Sequence, residues 1–233
     1  MANILLTGAS RGIGAAARTL LEQSGHTVLG QSTAGDDGLI AADFAQPRAA
    51  DALWATALEQ AGGRIDVLVN NAGVFEAAPI ADADGFAATW ARSHAINLQS
   101  AADLCRHAVL HFQEHGGGRI INVASRAGHR GDSPQHWHYA AAKGGMLAMT
   151  KSIARGYAAQ NILAFAITPG FTMTGMAEEY LASRGGDKLL ADIPLGRVAM
   201  PEEVAEMIRW LASDAPASMT GATLDINGAS YVR

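Results

Sequence analysis

Tyr139 and Lys143 are the two residues whose types and spacing best suit catalysis. They lie four positions apart in an apolar-rich segment, residues 139–157, that is predicted to be helical. Side chains at this spacing share one helix face, so the phenol and the ammonium are expected to lie together. A nearby cation favours an ionised phenol, which could then exchange a proton near neutral pH. The same spacing also occurs at the exposed rims of helices, so the role of the pair depends on the rest of the chain.

The elements that must position this pair are short apolar strands that alternate with longer helices. Strands are predicted at 4–7, 27–31, 39–42, 65–70, 119–124, 162–168 and 223–227, and helices at 13–21, 47–61, 84–92, 97–115, 138–159 and from Pro201 onward. Such alternation predicts a parallel sheet covered by helices on both faces. No repeat or linker divides the sequence, so we expect one doubly wound α/β domain over residues 1–233, with about seven strands.

The composition excludes several classes of function. The 233 residues include 17 basic and 22 acidic side chains, a net charge of −5 without a basic run, so nucleic-acid binding is not expected. No apolar stretch approaches the roughly 20 residues of a membrane span. Cys105 is the only cysteine and the chain starts directly with a strand, so a cytoplasmic protein without a disulfide is expected.

A glycine-rich loop, Gly8-x-x-x-Gly12-x-Gly14, joins the first predicted strand to the first predicted helix. Glycines there allow a tight turn and let backbone N–H groups approach a pyrophosphate at the helix amino terminus. The spacing differs from the common G-x-G-x-x-G pattern, and glycines also occur in ordinary turns. The position at the first strand–helix junction favours a dinucleotide site.

Five motifs together resemble those of the short-chain dehydrogenase/reductase family. In chain order they are Thr7-Gly-Ala-Ser-Arg-Gly-Ile-Gly14, Asn70-Asn-Ala-Gly73, Ser125, Tyr139-x-x-x-Lys143 and Pro169-Gly170. The resemblance implies a Rossmann-type fold, an NAD(P)-dependent oxidoreductase acting on CH–OH groups, and a homotetramer or homodimer. Within the family the chain is most similar to the branch of 3-oxoacyl-acyl-carrier-protein reductases. Residues 114–119 carry little of the basic charge that would dock an acidic carrier protein.

The resemblance implies a catalytic set of four residues, Asn97, Ser125, Tyr139 and Lys143. Tyr139 is expected to exchange a proton with the substrate oxygen, and Ser125 to donate a hydrogen bond to it. Lys143 is expected to lower the pKa of the phenol and to bind the nicotinamide ribose, and Asn97 to hold a water at the start of its helix. Asn97 could instead cap that helix, and Ser125 could be a turn residue. Fourteen residues separate Ser125 from Tyr139, about one more than expected, and a loop can absorb the difference.

The resemblance also implies the residues that hold the cofactor. Asp43 would accept from the adenine amino group, with Phe44 beside the ring, and Asn71 to Gly73 would line a ribose. Thr172 and Thr174 would bond the nicotinamide carboxamide and a phosphate. The full predicted set is Gly8, Ser10, Arg11, Gly12, Ile13, Gly14, Thr33, Asp43, Phe44, Asn71, Ala72, Gly73, Tyr139, Lys143, Pro169, Gly170, Thr172 and Thr174.

The charges near the adenosine ribose favour NADP(H) over NAD(H). The second strand ends at residues 29–33 without a carboxylate that could accept from a free 2′-hydroxyl. Arg11 offers a guanidinium for a 2′-phosphate. Arg11 could instead be a solvated loop residue, and Asp36 or Asp37 could turn back to the ribose, so NAD(H) stays open.

Two groups of histidines and one apolar segment have competing interpretations. His107, His111 and His115 share one helix face at a spacing that suits a metal, but an interface or a solvated face is favoured and no metal is expected. Near Tyr139, a second group could line the substrate mouth or form a solvated loop, and it comprises His129, His136 and His138. Residues 171–198 are predicted to form a flap over a moderately hydrophobic substrate.

The sequence leaves three functions open. The first is an NADP(H)-dependent carbonyl reductase, with a 3-oxoacyl thioester as the leading substrate. The second is an NAD-dependent dehydrogenase of a secondary alcohol, sugar or polyol. The third is a dinucleotide-binding sensor without turnover, which the intact catalytic set disfavours.

Overall fold

Seven strands form one parallel sheet in the computed structural model, which describes residues 1–174 and 186–233. The strands are β1 (Asn3–Leu6), β2 (Thr27–Ser32), β3 (Ile40–Ala41), β4 (Val67–Asn70), β5 (Gly118–Val123), β6 (Ile162–Pro169) and β7 (Thr223–Ile226). Their order is β3-β2-β1-β4-β5-β6-β7, and β1 pairs in parallel with both β2 and β4. This order confirms the predicted doubly wound, Rossmann-type fold, whose strand order reverses between β1 and β4.

Helices cover both faces of the sheet. They are α1 (Gly12–Gln23), α2 (Ala49–Gln60), α3 (Ala83–His94), α4 (Ser100–Glu114), α5 (Ala127–Arg130), α6 (Trp137–Tyr157), α7 (Gly186–Ala191) and α8 (Pro201–Ser213). The start of α8 shows the local chemistry: Pro201 occupies its first turn, and the Glu203 carboxylate accepts from the Met200 backbone N–H at 2.7 Å. Proline and acidic residues are favoured there because the first helical N–H groups lack intrahelical acceptors.

Alternation along the strands divides the core between the two faces. In β1, Leu5 faces the cluster built with α2, α4 and α6, whereas Ile4 and Leu6 face the cluster built with α1 and α8. All three side chains are fully buried, as expected for a parallel sheet covered on both sides. Because the strands are parallel, the carboxyl ends of the central strands share one edge of the sheet.

The two helices predicted at 84–92 and 97–115 are not separated by a loop. The structure joins α3 to α4 through a π-helical turn at Ala95–Gln99. Asn97 therefore lies inside a continuous helical segment, and the expectation that it starts a helix is wrong. A π turn adds one residue to the hydrogen-bonded ring and often occurs at functional sites.

Two predictions concern segments that the structure tests only in part. The predicted flap around 171–198 lies partly outside the described residues, at 175–185, and stays a prediction. So does the extent of the domain over residues 1–233. Within the described ranges, none of the helices combines the length and the hydropathy needed to cross a membrane.

Candidate active site

Ser125, Tyr139 and Lys143 meet at the carboxyl edge of the sheet. Ser125 lies two residues after β5, and its side chain lies beside that of Tyr139 near the start of α6. The Lys143 Nζ lies over the Tyr139 ring, 5.8 Å from its centroid. A Cβ added to Gly73 would lie 2.8 Å from the Asn97 Oδ1 and 3.6 Å from the Lys143 Nζ. All four predicted catalytic residues are therefore brought to one place.

The Lys143 ammonium is held by the end of β5. Its Nζ donates to the Val123 carbonyl oxygen at 2.9 Å, and the residue is only 3% exposed. Burial lowers the pKa of Lys143 to about 8, because water no longer stabilises the charge. Its proton is therefore more easily released than that of an ordinary lysine.

The pKa of Tyr139 differs from the sequence expectation. Burial raises the pKa of the phenol in this structure, and the neighbouring Ser125 hydroxyl opposes that rise. The family resemblance predicts that Lys143 lowers this pKa, but its ammonium donates to the Val123 carbonyl oxygen. Desolvation is the largest influence on the pKa of Tyr139, because burial disfavours the charged form of the phenol.

Asn97 uses its side-chain amide to hold the loop after β4. Its Oδ1 accepts from the Val74 N–H at 2.9 Å, and its Nδ2 donates to the Val74 carbonyl at 3.0 Å and to the Ser93 Oγ at 2.9 Å. The residue is completely buried. The π turn thus aims the amide at a loop 23 residues away in the sequence, so Asn97 does not cap a helix.

The glycine loop fits closely against the start of α1. Gly8 has φ +67°, a conformation that favours glycine, and a Cβ added to Gly14 would lie 1.9 Å from the Gly8 carbonyl oxygen. Ser10 and Arg11 are exposed next to this close contact between Gly8 and Gly14, and Ile13 is partly buried. Gln31, which the sequence analysis missed, accepts from the Gly8 N–H at 2.8 Å through its side chain.

Thr7 ties the glycine loop to the loop after β4. Its Oγ1 accepts from the backbone N–H groups of Asn71 at 2.9 Å and Ala72 at 3.0 Å. The Asn71 Nδ2 returns to the Thr7 and Gly8 carbonyl oxygens at 3.0 and 3.1 Å. These bonds join the ends of β1 and β4, where the strand order reverses and such folds bind ligands. Thr7 is the first residue of the glycine-rich motif, and that position is the sequence signal that could have identified its role.

The loop after β6 also reaches this edge. A Cβ added to Gly12 would lie 2.9 Å from the Thr174 Cγ2, so Thr174 borders the glycine loop. Thr172 is buried, and it forms an isolated parallel bridge with Ala199. Pro169 ends β6, and Gly170 follows against the backbone of Asn227.

Three predicted adenosine contacts have different surroundings. Phe44 packs in the core, 7% exposed, and the Asp43 carboxylate accepts from the Ala45 N–H at 3.0 Å. Thr33 is exposed just past the end of β2. Contacts of these residues with an adenosine stay predictions.

The histidines in α4 and at its carboxyl end have structural partners. His107 Nε2 lies 2.7 Å from the Asp51 Oδ1, and His111 Nε2 accepts from the Ile65 N–H at 3.1 Å. His115 stacks on His111, with 3.9 Å between ring centroids. Across the described residues, no cluster of three or more histidine, cysteine or acidic side chains is arranged to hold a metal ion.

The histidines near Tyr139 have three different environments. His136 stacks on Phe75, an aromatic neighbour of Tyr139 that the sequence analysis missed. The buried His138 has its Nε2 2.9 Å from the Glu76 carbonyl oxygen, and His129 stacks on Tyr231. His136 therefore belongs to the ring cluster of the candidate site, and the ring of His138 meets it at a tilt, with 6.1 Å between centroids.

Comparisons with known proteins agree with this geometry. A family model described as enoyl-(acyl carrier protein) reductase matches residues 8–229. The chain is 35% identical to a 3-oxoacyl-(acyl-carrier-protein) reductase of Vibrio cholerae, over 98% of this chain and 96% of the relative. It is 37% identical to a cis-4-hydroxycyclohexanecarboxylate dehydrogenase of Sinomonas cyclohexanicum, over 96% and 94% of the two chains. It is 33% identical to an acetoacetyl-CoA reductase of Rhizobium meliloti, over 97% of each. With the five motifs gathered at one edge of the sheet, the chain belongs to the short-chain dehydrogenase/reductase family of oxidoreductases that act on CH–OH and carbonyl groups.

Proposed function

We propose that this protein transfers hydride between NADP(H) and a carbonyl or secondary alcohol, with Tyr139 as the general acid and base. The observation that carries the proposal is the meeting of Tyr139 with Ser125 and with the buried Lys143, whose Nζ lies 5.8 Å from the centroid of the phenol ring. Two hydroxyl groups on neighbouring side chains can both reach a single substrate oxygen. Proton exchange by such a positioned group contributes about 10²–10⁴-fold to a rate.

The residues at this edge of the sheet fit a dinucleotide. At Gly14 a side chain would collide with the Gly8 carbonyl oxygen, so the loop and the helix start stay close enough to hold a diphosphate with their N–H groups. In this proposal, residues 71–73 line a ribose, and Lys143 binds the nicotinamide ribose beside Gly73. When bound, the nicotinamide supplies or accepts the hydride.

Each catalytic side chain has a separate task in this proposal. Tyr139 donates its proton to the carbonyl oxygen during reduction and takes the alcohol proton in the reverse direction. Ser125 donates a hydrogen bond to the same oxygen and stabilises its developing charge. Lys143 keeps a positive charge near the phenol. Asn97 positions the loop at Val74, and its predicted water link to Lys143 belongs to the proposal as well.

NADP(H) is favoured because Arg11 is exposed at the amino end of α1, where its guanidinium is available to a 2′-phosphate. Ser32 and Thr33, at the end of β2, provide no carboxylate for a free 2′-hydroxyl. Asp36 and Asp37 are also exposed, so a preference for NAD(H) is the second candidate.

The leading substrate is a 3-oxoacyl thioester. The relatives from Vibrio cholerae and Rhizobium meliloti are named as reductases of such compounds. The relative from Sinomonas cyclohexanicum is named as a dehydrogenase of a cyclic secondary alcohol, which supports oxidation of an alcohol as the alternative. We also propose a homotetramer or homodimer in the cytoplasm, where the buried Cys105 would remain a thiol.

The decisive experiment is a turnover assay that crosses cofactor with substrate. NADPH and NADH are each supplied with 3-oxoacyl thioesters and ketones, and NADP and NAD with secondary alcohols and polyols. We expect the fastest turnover with NADPH and a 3-oxoacyl thioester. Faster oxidation of an alcohol with NAD would establish the alternative. Tight NADPH binding without turnover of any compound would instead identify a sensor.

A further inference from the structure

Phe75 presents an aromatic ring beside the proposed proton donor. Its ring meets that of Tyr139 edge to face, with 4.9 Å between centroids and an angle of 82°. Phe75 is 37% exposed, although it is a large apolar side chain. The ring of His136 lies parallel to Phe75 at 3.9 Å. Phe75 and His136, which we call the ring pair, thus form one surface next to Tyr139.

The backbone that carries Phe75 is held on both sides. On the amino-terminal side, Asn97 bonds both the N–H and the carbonyl of Val74. On the carboxyl-terminal side, the Ala78 N–H donates to the Gln135 carbonyl at 2.9 Å. The loop after β4 is therefore joined to the segment that leads into α6, with the ring pair between the two attachments.

His136 is held by its own contacts. Its Nδ1 lies 2.7 Å from the Ser133 Oγ, and its backbone carbonyl accepts from the Ala140 N–H at 3.1 Å. Two residues further on, His138 holds the loop after β4, because its Nε2 lies 2.9 Å from the Glu76 carbonyl oxygen. Hydrogen bonds on both loops thus keep the two rings stacked.

A surface held in this way limits the volume available to a ligand. Enlarging a group against a well-packed surface costs about 1–3 kcal/mol, because neighbouring side chains must leave their preferred positions. One extra methylene changes discrimination by enzyme pockets about 10–200-fold. The ring pair carries no carboxylate, and the 37% exposure of Phe75 leaves its ring open to contact with a substrate.

We propose that the ring pair of Phe75 and His136 is a specificity wall, which restricts the group beyond the reacting carbonyl to a short one. This inference rests on the proposed hydride-transfer function and deepens it. It assigns the protein to short 3-oxoacyl and methyl carbonyl compounds, in preference to those with long alkyl groups. Phe75 and His136 act here by excluding volume.

The test compares two substrates on each enzyme variant. The 3-oxobutanoyl and 3-oxooctanoyl thioesters of N-acetylcysteamine carry a methyl and a pentyl group beyond the carbonyl. Butanone and 3-octanone carry a methyl and a pentyl group next to the same ethyl ketone, and they provide the same comparison without a thioester. The measured quantity is the ratio of kcat/KM for the short compound to that for the long compound. General damage to Tyr139 lowers both values and cancels in the ratio.

The variants are Phe75→Ala, His136→Ala and the control His115→Ala. His115 stacks on His111 at 3.9 Å, the same distance as that between Phe75 and His136. The His115 stack lies near Ile65, at the opposite edge of the sheet from Tyr139. We expect the unmodified protein to favour the short compound about tenfold or more, and Phe75→Ala to remove about tenfold of that preference. His136→Ala should act in the same direction, and the control should leave the ratio unchanged.

The possible failures are distinguishable. If the protein turns over both lengths and Phe75→Ala leaves their ratio unchanged, the specificity wall is rejected while the hydride-transfer function stands. Turnover of ketones without thioesters rejects the thioester substrate, and the ketone ratio then tests the wall. If NADPH binds but neither series reacts, the proposed function and the inference that rests on it are both rejected.

Discussion

Asn97 holds Val74 by both of its backbone groups, accepting from the N–H at 2.9 Å and donating to the carbonyl at 3.0 Å. This pair of bonds connects the π turn between α3 and α4 to the loop that continues into Phe75. It explains how a residue in the middle of a helical segment can shape the surface next to Tyr139. Asn97 thus supports the site in addition to any role in proton transfer.

Replacing Asn97 by alanine tests this connection. We expect Asn97→Ala to lower the free energy of unfolding by about 2 kcal/mol, because Val74 loses two hydrogen bonds in a buried environment. Chemical denaturation measures this change, and steady-state assays should show a fall in kcat. Ser93→Ala is the matched control, since it removes one partner of the Asn97 Nδ2 and leaves Val74 bonded. Equal effects of the two substitutions would argue against the support role.

Tyr139→Phe tests the proton donor. The variant keeps the ring that contacts Phe75 and loses only the hydroxyl, so NADPH should bind with nearly unchanged affinity. Turnover should fall by about 10²–10⁴-fold, the usual contribution of general acid–base catalysis. Fluorescence titration and initial rates measure the two quantities. A variant that kept a tenth of the activity would contradict the mechanism.

The lowered pKa of Lys143 predicts a dependence of stability on pH. The folded protein releases this proton at a pKa of about 8, whereas the unfolded chain holds it up to the ordinary lysine pKa of 10.5. Between these values the unfolded state binds more protons, so stability rises with pH. Across that window, Lys143 should contribute an increase of up to about 3 kcal/mol. Denaturation is measured from pH 7 to 10 on the unmodified protein and on Lys143→Met. The stability of the unmodified protein should rise relative to that of the variant, and parallel curves would contradict the assignment.

Gly14→Ala tests the close approach of α1 to the glycine loop. A methyl group there would lie 1.9 Å from the Gly8 carbonyl oxygen, so the loop must move. We expect a loss of about 1–3 kcal/mol in stability and weaker dinucleotide binding. Gly156→Ala in α6 is the control, because nothing lies within 4 Å of the added methyl group. That control should gain up to about 1 kcal/mol from helix propensity.

Arg11→Ala tests the choice of cofactor. If the guanidinium binds a 2′-phosphate, the Michaelis constant for NADPH should rise about tenfold or more while that for NADH hardly changes. Arg11→Lys should show an intermediate effect, since a lysine keeps the charge without the bidentate geometry. Equal changes for both cofactors would remove the charge argument and favour a contact with the diphosphate.

Much of the fold could be predicted because its signals are local. Alternation of apolar strands with helices placed all seven strands of residues 1–174 and 186–233, and most boundaries agree within two residues. The spacing of Tyr139 and Lys143 indicated one helix face for the same reason. The prediction failed at Asn97, because a π turn depends on how a continuous helix packs, and the pattern suggested two separate helices.

The chain by itself therefore determined the order of the elements, the glycine loop and the residue types available at each strand end. Only the tertiary structure decided how those residues are paired. Lys143 donates to the Val123 carbonyl, and burial raises the pKa of Tyr139 although a cation lies nearby. Phe75 and His136 meet across about sixty residues of sequence. Distance in space and exposure to water set these contacts and pKa values, and neither is encoded in the spacing of residues along the chain.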